Sequence, residues 1–492
     1  MGVPLYFKTI LEQYNNILLS QNNNIIKNNL FFDLNCLIHP CCRDETNEDI
    51  MFIKIKDYIN KIITLVNPKF TYIAIDGVCP RAKMQQQRKR RYKSSTENKI
   101  WDTNTISPGT EFMNKLNIFL RKTYLSDSKD IVISDSDERG EGEQKIFDYI
   151  KKHNLKNNII YGLDADLIIL SLLCDNKTYL LRERTEYNIE NLESEFIYLD
   201  ISILEKYVIS NIKYNNSLSD KEIIQNYCIL FFILGNDFIP HTPSINIRYN
   251  GVDELLNIYN ELMEETNGIF LLYTMNTINI NFLKMLFHKL SKNENNRIKN
   301  ILKIRDKQEN KFKNIYNKEK DKSKVITHKP IIFREKEKEL FKDLNDWKNN
   351  YYMYELYQEK YYPTYKNILD EKIDNMCEEY IKSIIWCSKY YIDECYSWKW
   401  YYKYLTGPSF MDLNTYLNKN PEIKLKKDNE SYKSYQQLMI ILPPKSYNLL
   451  EEKYKKILEE KYYYLSPNKF KESHILKRYL WESEPIIPDF NL

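Results

Sequence analysis

Acidic side chains recur at the ends of apolar segments in the first half of this 492-residue chain. They are Asp33 after LFF, Asp76 after YIAI, Asp164 and Asp166 in IIYGLDAD, and Asp237 after CILFFILGN. If each segment is a strand of a parallel α/β sheet, its carboxyl end lies at the shared edge where such sheets bind ligands. One acid of this kind is often only a turn residue or a helix cap. The whole set predicts a convergent acidic site.

Such a site requires cations, because bringing several like charges together is costly. Glu141 and Glu143, in ERGEGEQK, lie on a glycine-flanked turn that opens a helix, and they extend the same set. An all-oxygen site without histidine suits Mg²⁺ or Mn²⁺ rather than zinc. Two ions about 3.5–4 Å apart are the usual apparatus for in-line phosphodiester cleavage. We therefore predict two ions and hydrolysis of a phosphodiester bond.

A basic segment, PRAKMQQQRKRRYK (80–93), follows Asp76 and has the composition of a helix that opens with Pro80. Four of its polar side chains fall within an arc of about 100° on one helix face: Lys83, Gln87, Arg90 and Arg91. This face either binds a phosphate or is a solvated basic surface, and the spacing does not separate the two. The uncharged Gln87 in its middle favours the phosphate.

The elements that must position these residues alternate along the chain. Apolar runs at 30–35, 70–77, 130–137 and 158–170 predict buried strands, and 48–66 and 110–124 have helical spacing. This alternation predicts an α/β domain over 1–260 with a mostly parallel sheet and helices on both faces. Residues 261–340 form a helical, basic connector, whose polar part 301–326 is a solvated helix or linker or, alternatively, a basic contact surface. Residues 341–492 form a helical, aromatic-rich region that ends in an extended tail.

Net charge, apolar runs and cysteine spacing exclude several classes of protein. With 72 Lys+Arg and 68 Asp+Glu the net charge is +4, so any nucleic-acid site is a local patch. No apolar run approaches the ~18 residues of a membrane span, and the start of the chain lacks a secretory pattern. The nine cysteines include no C-x-x-C pair, so we expect neither disulfides nor zinc. We expect an intracellular protein.

Several motifs resemble, in order, those of the Xrn/Rat-type 5′-to-3′ exoribonucleases. They are MGVPLYF, FFDLNCLIH, IDGVCPRAKMQQQRKRR, SPGTEFM, GEGEQKI, YGLDADLIIL, LLRE and GNDFIPH, followed by DWKNNYY, SWKWYY, QQLMIILPP and the closing YLSPNKF…WESEPIIPDF. The match covers the chain apart from about 260–340. The resemblance implies a nuclease core like that of the PIN and flap nucleases. It also implies processive degradation of single-stranded RNA from a 5′-monophosphate end, releasing nucleoside 5′-monophosphates.

Residue by residue, the resemblance assigns the seven acids to two metal ions, and Lys83, Gln87, Arg90 and Arg91 to the 5′-phosphate pocket. His39 matches the histidine that stacks on the first base, and its partner corresponds to Trp400, with Trp398 as the second choice. The resemblance also implies a monomer in the cytoplasm or nucleus, with a decapping activity upstream as the source of substrate.

Some features depart from the family. Gln144 replaces the histidine that usually follows GEGE, and YLTGP (404–408) stands in place of a HYAP-like string. The segment between Tyr92 and Trp101 is short, and the motifs continue to the end of the second conserved region, so we expect no counterpart of the added C-terminal domains of the large members. We therefore expect a compact member with the catalytic region only. The alternatives are a flap-type DNA nuclease and a catalytically inactive RNA-binding scaffold.

Overall fold

The computed structural model describes residues 6–20, 25–97, 100–125, 130–184, 194–212, 218–268, 271–321, 334–357 and 366–491. Its centre is a seven-stranded sheet in the order β1-β7-β6-β5-β2-β3-β4. The strands are β1 Leu18–Ser20, β2 Asn29–Asp33, β3 Phe70–Ala74, β4 Ile131–Ser134, β5 Asn158–Tyr161, β6 Thr178–Glu183 and β7 Phe196–Asp200. Strands β2 to β6 run parallel, and β7 is antiparallel to both β6 and β1. The predicted mostly parallel sheet is confirmed.

Helices cover both faces of this sheet. They are α1 Tyr6–Gln13, α2 Asn35–Cys42, α3 Glu48–Val66, α4 Arg81–Ser94, α5 Glu111–Tyr124, α6 Gly142–His153, α7 Asp166–Leu172, α8 Ile201–Asn211 and α9 Asp220–Phe232. Successive strand residues point to opposite faces: Phe31 packs in the core with α6 to α9, and Phe32 in the core with α2, α3 and α5. Both side chains are fully buried.

The rest of the chain is largely helical, as predicted. Its helices are α10 Gly251–Glu265, α11 Ile280–Lys292, α12 Glu294–Lys318, α13 Glu335–Leu340, α14 Trp347–Tyr357, α15 Lys366–Ile392, α16 Phe410–Lys419, α17 Ser434–Ile441 and α18 Glu452–Lys461. Two small hairpins pair β8 Tyr273–Thr274 with β9 Thr277–Ile278, and β10 Lys471–Ser473 with β11 Glu484–Ile486. The core that holds Phe31 continues through Met263, Leu283 and Phe410, so packing is continuous across residue 260.

Two apolar runs differ from the prediction. The segment 158–170 is not one strand, because β5 ends at Tyr161 and α7 begins at Asp166. The run CILFFIL before Asp237 belongs mostly to α9. This helix begins at a capping box formed by Ser219 and Glu222. A continuous apolar run does not separate a buried strand from a buried helix, and here β5 and the helical residues 166–170 and 228–232 are all buried.

Helix α4 is not the solvated basic helix of the alternative interpretation. Arg81 and Arg88 are fully buried. Arg81 donates to the carbonyl of Phe490 at 2.8 Å, and Arg88 donates to the carbonyls of Ile440, at 2.8 Å, and Leu465. The guanidinium groups therefore satisfy carbonyls at the ends of the second region. The predicted extended tail packs on the body, since β11 contacts α4.

Residues 301–318 belong to α12, a mostly exposed helix as predicted, whereas 322–326 lie outside the described residues. One buried ionic network anchors this helix. Arg305, on α12, makes two hydrogen bonds to Glu337 at 2.8 and 2.7 Å and donates to the carbonyl of Lys477 at 2.8 Å. Arg334 also binds Glu337, and all three ionic side chains are at most 3% exposed. The few charged side chains of this network can be buried because each meets a counter-charge.

Glu337→Ala should lower the free energy of unfolding by about 3–5 kcal/mol, because Arg305 and Arg334 would remain buried without a carboxylate. Urea denaturation followed by circular dichroism measures this change. Glu339→Ala, an exposed acid on the same helix, is the control and should stay within about 0.5 kcal/mol. Equal effects of the two substitutions would contradict a stabilising network.

No helix in the described ranges is both long enough and apolar enough to cross a membrane.

Candidate active site

The sheet brings the predicted acids to one edge. Asp33 is the last residue of β2, and Asp76 lies two residues beyond β3. Asp164 and Asp166 follow β5, which is the other neighbour of β2. The three adjacent parallel strands therefore deliver four of the seven acids. Glu141 and Glu143 come from the amino-terminal end of α6, as predicted for the glycine-flanked turn.

Gly142 allows two of these acids to approach the start of α6. Its backbone N–H donates to Asp76 Oδ1 at 2.7 Å. A Cβ at this position would lie 3.0 Å from Asp33 Oδ1 and 3.4 Å from Asp76 Oδ1. Asn35 holds the other side of the turn, since its Oδ1 accepts from the backbone N–H of Asp76 at 3.0 Å. A side chain here would press on both carboxylates, so glycine favours their close approach and is not needed for an unusual backbone angle.

Lys83 connects α4 to the acids. Its Nζ lies 2.5 Å from Glu141 Oε2 and 3.1 Å from Asp237 Oδ2. Burial alone would lower the pKa of Lys83, but the charges of Glu141 and Asp237 outweigh it and raise this pKa well above its ordinary value. Burial opposes the charge of Asp237 too, yet Lys83 lowers the pKa of that acid. Asp237 thus joins the cluster from the turn after a helix, not from a strand end.

Asp33 and Glu143 are buried beside other carboxylates. Burial, and then the charges of Asp76 and Asp164, raise the pKa of Asp33 well above its usual range. Burial, followed by the charge of Asp166, does the same to the pKa of Glu143. Buried carboxylate oxygens are the ligands that a hard divalent cation prefers, so the chemistry of this site fits such an ion. Within the described ranges, no three His, Cys, Asp or Glu side chains already stand in the arrangement that holds a metal ion.

Two tyrosines of α15 touch the acids, and sequence analysis missed both. The hydroxyl of Tyr390 donates to Glu141 Oε1, and the hydroxyl of Tyr391 donates to Asp166 Oδ1 at 2.8 Å. The only local signal was a pair of adjacent tyrosines in an apolar helix. Nothing in that pattern indicates contact with residues more than 200 positions away.

The four predicted phosphate-binding residues of α4 differ in their surroundings. Arg90 is exposed, whereas Gln87 and Arg91 are buried. Arg91 Nη1 donates to Ser107 Oγ at 2.6 Å. Gln87 Oε1 and Arg91 Nε are buried and have no hydrogen-bond partner among the described residues. The face thus holds unsatisfied polar atoms, while Lys83 is engaged by the acids.

The aromatic candidates lie in different settings. His39 is half-buried on α2. The indole N–H of Trp400 donates to Glu379 at 2.9 Å, and its ring packs on Trp386 at 5.8 Å. The carbonyl of Trp398 accepts from the backbone N–H of Arg81 at the start of α4, at 2.8 Å. Both tryptophans therefore border helices that contact the acids, and the pairing of Trp400 with His39 stays a prediction.

A parallel α/β sheet with buried acids at its carboxyl edge, closed by a helical region that touches those acids, has the architecture of a carboxylate-lined nuclease. Residues 1–100 and 93–184 match the family model of the XRN 5′-3′ exonuclease N-terminus. Residues 217–355 and 334–488 match that of the Xrn1 helical domain. The chain belongs to the Xrn family.

Individual relatives are distant but match along nearly the whole chain. Human 5′-3′ exoribonuclease 1 is 26% identical over 582 residues, which covers 99% of this chain and 33% of the relative. The Drosophila melanogaster 5′-3′ exoribonuclease 2 homolog is 24% identical, and the match covers 99% of this chain and 69% of the relative. The Saccharomyces cerevisiae 5′-3′ exoribonuclease 1 is 25% identical, covering 93% and 40%. The chain thus spans between about a third and two thirds of the length of these relatives.

Proposed function

We propose that this protein is a 5′-to-3′ exoribonuclease that hydrolyses single-stranded RNA processively from a 5′-monophosphate end and releases nucleoside 5′-monophosphates. The observation that carries the proposal is the placement of α4. One end of this helix inserts Lys83 between Glu141 and Asp237. Further along it, Arg91 presents a buried Nε donor that has no hydrogen-bond partner among the described residues. A single rigid element therefore links the acidic cluster to a candidate anion site.

The seven acids would hold Mg²⁺ or Mn²⁺, with two ions proposed. When bound, such ions activate water and stabilise the charge that develops on the phosphate. The role of the protein is to present the oxygen ligands from the ends of packed strands and helices. Asp33 and Asp76 converge on the first turn of α6 through Gly142. Asp166 begins α7, which is buried throughout.

The terminal phosphate would bind to Gln87, Arg90 and Arg91. Arginine forks match phosphate oxygens in two-point contacts, and a buried donor without a partner gains a full hydrogen bond when an anion arrives. Capture of each newly exposed 5′-phosphate would set the distance to the next scissile bond. This gives the direction of degradation and its processivity. The substrate must then come from reactions that leave a 5′-monophosphate, such as decapping.

Comparing end groups tests the proposed function directly. Single-stranded RNAs of one sequence carrying a 5′-monophosphate, 5′-hydroxyl, 5′-triphosphate or cap are incubated with Mg²⁺, alongside a matching DNA flap. We expect rapid release of nucleoside monophosphates from the first substrate only. Preferential cleavage of the flap would instead indicate a structure-specific DNA nuclease. Binding of RNA without turnover of any substrate would indicate an inactive scaffold.

His39→Ala should slow degradation of every RNA sequence and shorten the runs made before dissociation. We propose that His39 and Trp400 enclose the terminal base, and stacking on an aromatic ring contributes about 1–3 kcal/mol per base irrespective of sequence. Product ladders formed in the presence of a heparin trap measure run length. His288→Ala, which removes an exposed histidine of α11, is the control. Unchanged processivity in both His39→Ala and Trp400→Ala would exclude the enclosure.

A further inference from the structure

Two consecutive tyrosines of the second region act on two different acids of the first region. Tyr390 donates to Glu141, at the start of α6, and Tyr391 donates to Asp166, at the start of α7. We infer that both tyrosines are positioning residues, which orient Glu141 and Asp166 for metal binding. This inference rests on the proposed metal-dependent function and assigns part of the metal site to the helical region.

The hydrogen bonds leave each acid able to bind a cation. A carboxylate has two oxygens, and a phenol donor occupies a lone pair on only one of them. Tyr390 binds Glu141 through Oε1 and Lys83 lies against Oε2, so each oxygen keeps a second lone pair for a cation. Outer groups that hydrogen-bond to ligating carboxylates fix their orientation and tune their affinity for the metal. A neutral hydroxyl does this without neutralising the negative charge that attracts the ion.

Aromatic packing fixes where the two hydroxyls point. The ring of Tyr390 stacks on Trp386, with centroids 4.8 Å apart and planes inclined by 14°. Trp386 is itself fully buried, and its indole N–H donates to the carbonyl of Ser397 at 2.8 Å. The ring of Tyr391 packs on Phe232 of α9 at 4.9 Å. Because both rings lie in a dense core, their hydroxyls are held at defined positions.

The hydroxyls are not needed for packing. Phenylalanine would fill nearly the same volume at both positions. Tyr380, on the same helix, is fully buried, and its hydroxyl has no hydrogen-bond partner among the described residues. Tyr380 thus contributes only packing, whereas Tyr390 and Tyr391 on the same helix also donate hydrogen bonds to acids. Tyr380 therefore supplies a matched control.

The test compares Tyr390→Phe, Tyr391→Phe and Tyr380→Phe as full-length proteins. Mn²⁺ binding is measured without RNA, by calorimetry and by the rise in melting temperature that the ion produces. The first two substitutions should weaken Mn²⁺ binding by about 10- to 100-fold, the range found for outer-shell partners of metal ligands. Tyr380→Phe should bind Mn²⁺ like the wild type. In both acid-facing variants, saturating Mn²⁺ should restore much of kcat while the KM for RNA stays near the wild-type value.

The outcomes separate this inference from the proposed function. If the wild type binds Mn²⁺ and both acid-facing variants bind it equally well, the positioning role is wrong and the metal-dependent function stands. If the wild type does not bind the ion, both fail. Equal weakening in all three variants would show a general loss of packing and would also overturn the inference. Two separate tyrosines keep the test decisive if one variant does not fold.

Discussion

Asp166→Asn should reduce RNA cleavage at least about a thousandfold, while RNA binding persists. The acid is 1% exposed, begins α7 and lies within the electrostatic reach of Asp237. A lost metal ligand removes several kcal/mol of transition-state stabilisation, and each 1.36 kcal/mol corresponds to about a tenfold change in rate. The amide keeps the shape of the side chain and can still accept from Tyr391. Removing a negative charge near the RNA phosphates should leave affinity equal or higher.

Initial rates on 5′-monophosphate RNA, with binding measured by fluorescence anisotropy in EDTA, check this expectation. Asp164→Asn is a second variant, and because Asp164 is exposed its substitution disturbs the core less. Asp137→Asn removes an exposed carboxylate outside the cluster and should leave the rate unchanged. Near-normal turnover in Asp166→Asn would eliminate the two-ion assignment.

Arg90→Ala should shrink the advantage of 5′-monophosphate RNA over 5′-hydroxyl RNA by about ten- to a hundredfold. A hydrogen bond to a charged group contributes about 1.5–3 kcal/mol, which corresponds to one to two powers of ten in affinity. Arg90 is exposed, so its removal tests phosphate recognition with little effect on folding. Arg91→Ala should have a similar effect, but it also removes the contact with Ser107.

The measurement is the ratio of initial rates on paired monophosphate and hydroxyl substrates. Lys89→Ala is the matched control, since it removes the preceding positive charge, which faces Glu484 at 3.6 Å. A general electrostatic effect would lower both rates equally in both variants, whereas a phosphate pocket changes the ratio only in Arg90→Ala. Equal rates on the two ends in the wild type would refute the pocket and favour an endonuclease.

Local sequence patterns were enough to predict many of the helices and strand ends of the first region. Helices α3 and α5 occupy the predicted 48–66 and 110–124 almost residue for residue. Amphipathic spacing and an Asn47 or Thr110 cap are local properties, so they are readable without the partner. Asp33 and Asp76 were placed correctly for a similar reason, since parallel strands necessarily end at one edge.

Continuous apolar runs were less informative. The residues 166–172 and 228–234 are buried on every side, so neither a two-residue nor a 3.6-residue period remains in them. Their helical state depends on which surfaces cover them. Likewise, Arg305 and Glu309 of the mostly exposed helix α12 are buried only because Glu337 and Arg334, from another segment, supply their counter-charges.

The sequence by itself determined the acids, the basic face of α4 and the family motifs, because these depend on residue type and short-range spacing. Only the tertiary structure decided that Lys83 sits between Glu141 and Asp237 and that Arg88 satisfies distant carbonyls. It alone showed that Tyr390 and Tyr391 hold two of the acids. Each of these contacts joins residues more than 50 positions apart. Such pairs leave no period or cap in the chain, since their partners meet only in the folded protein.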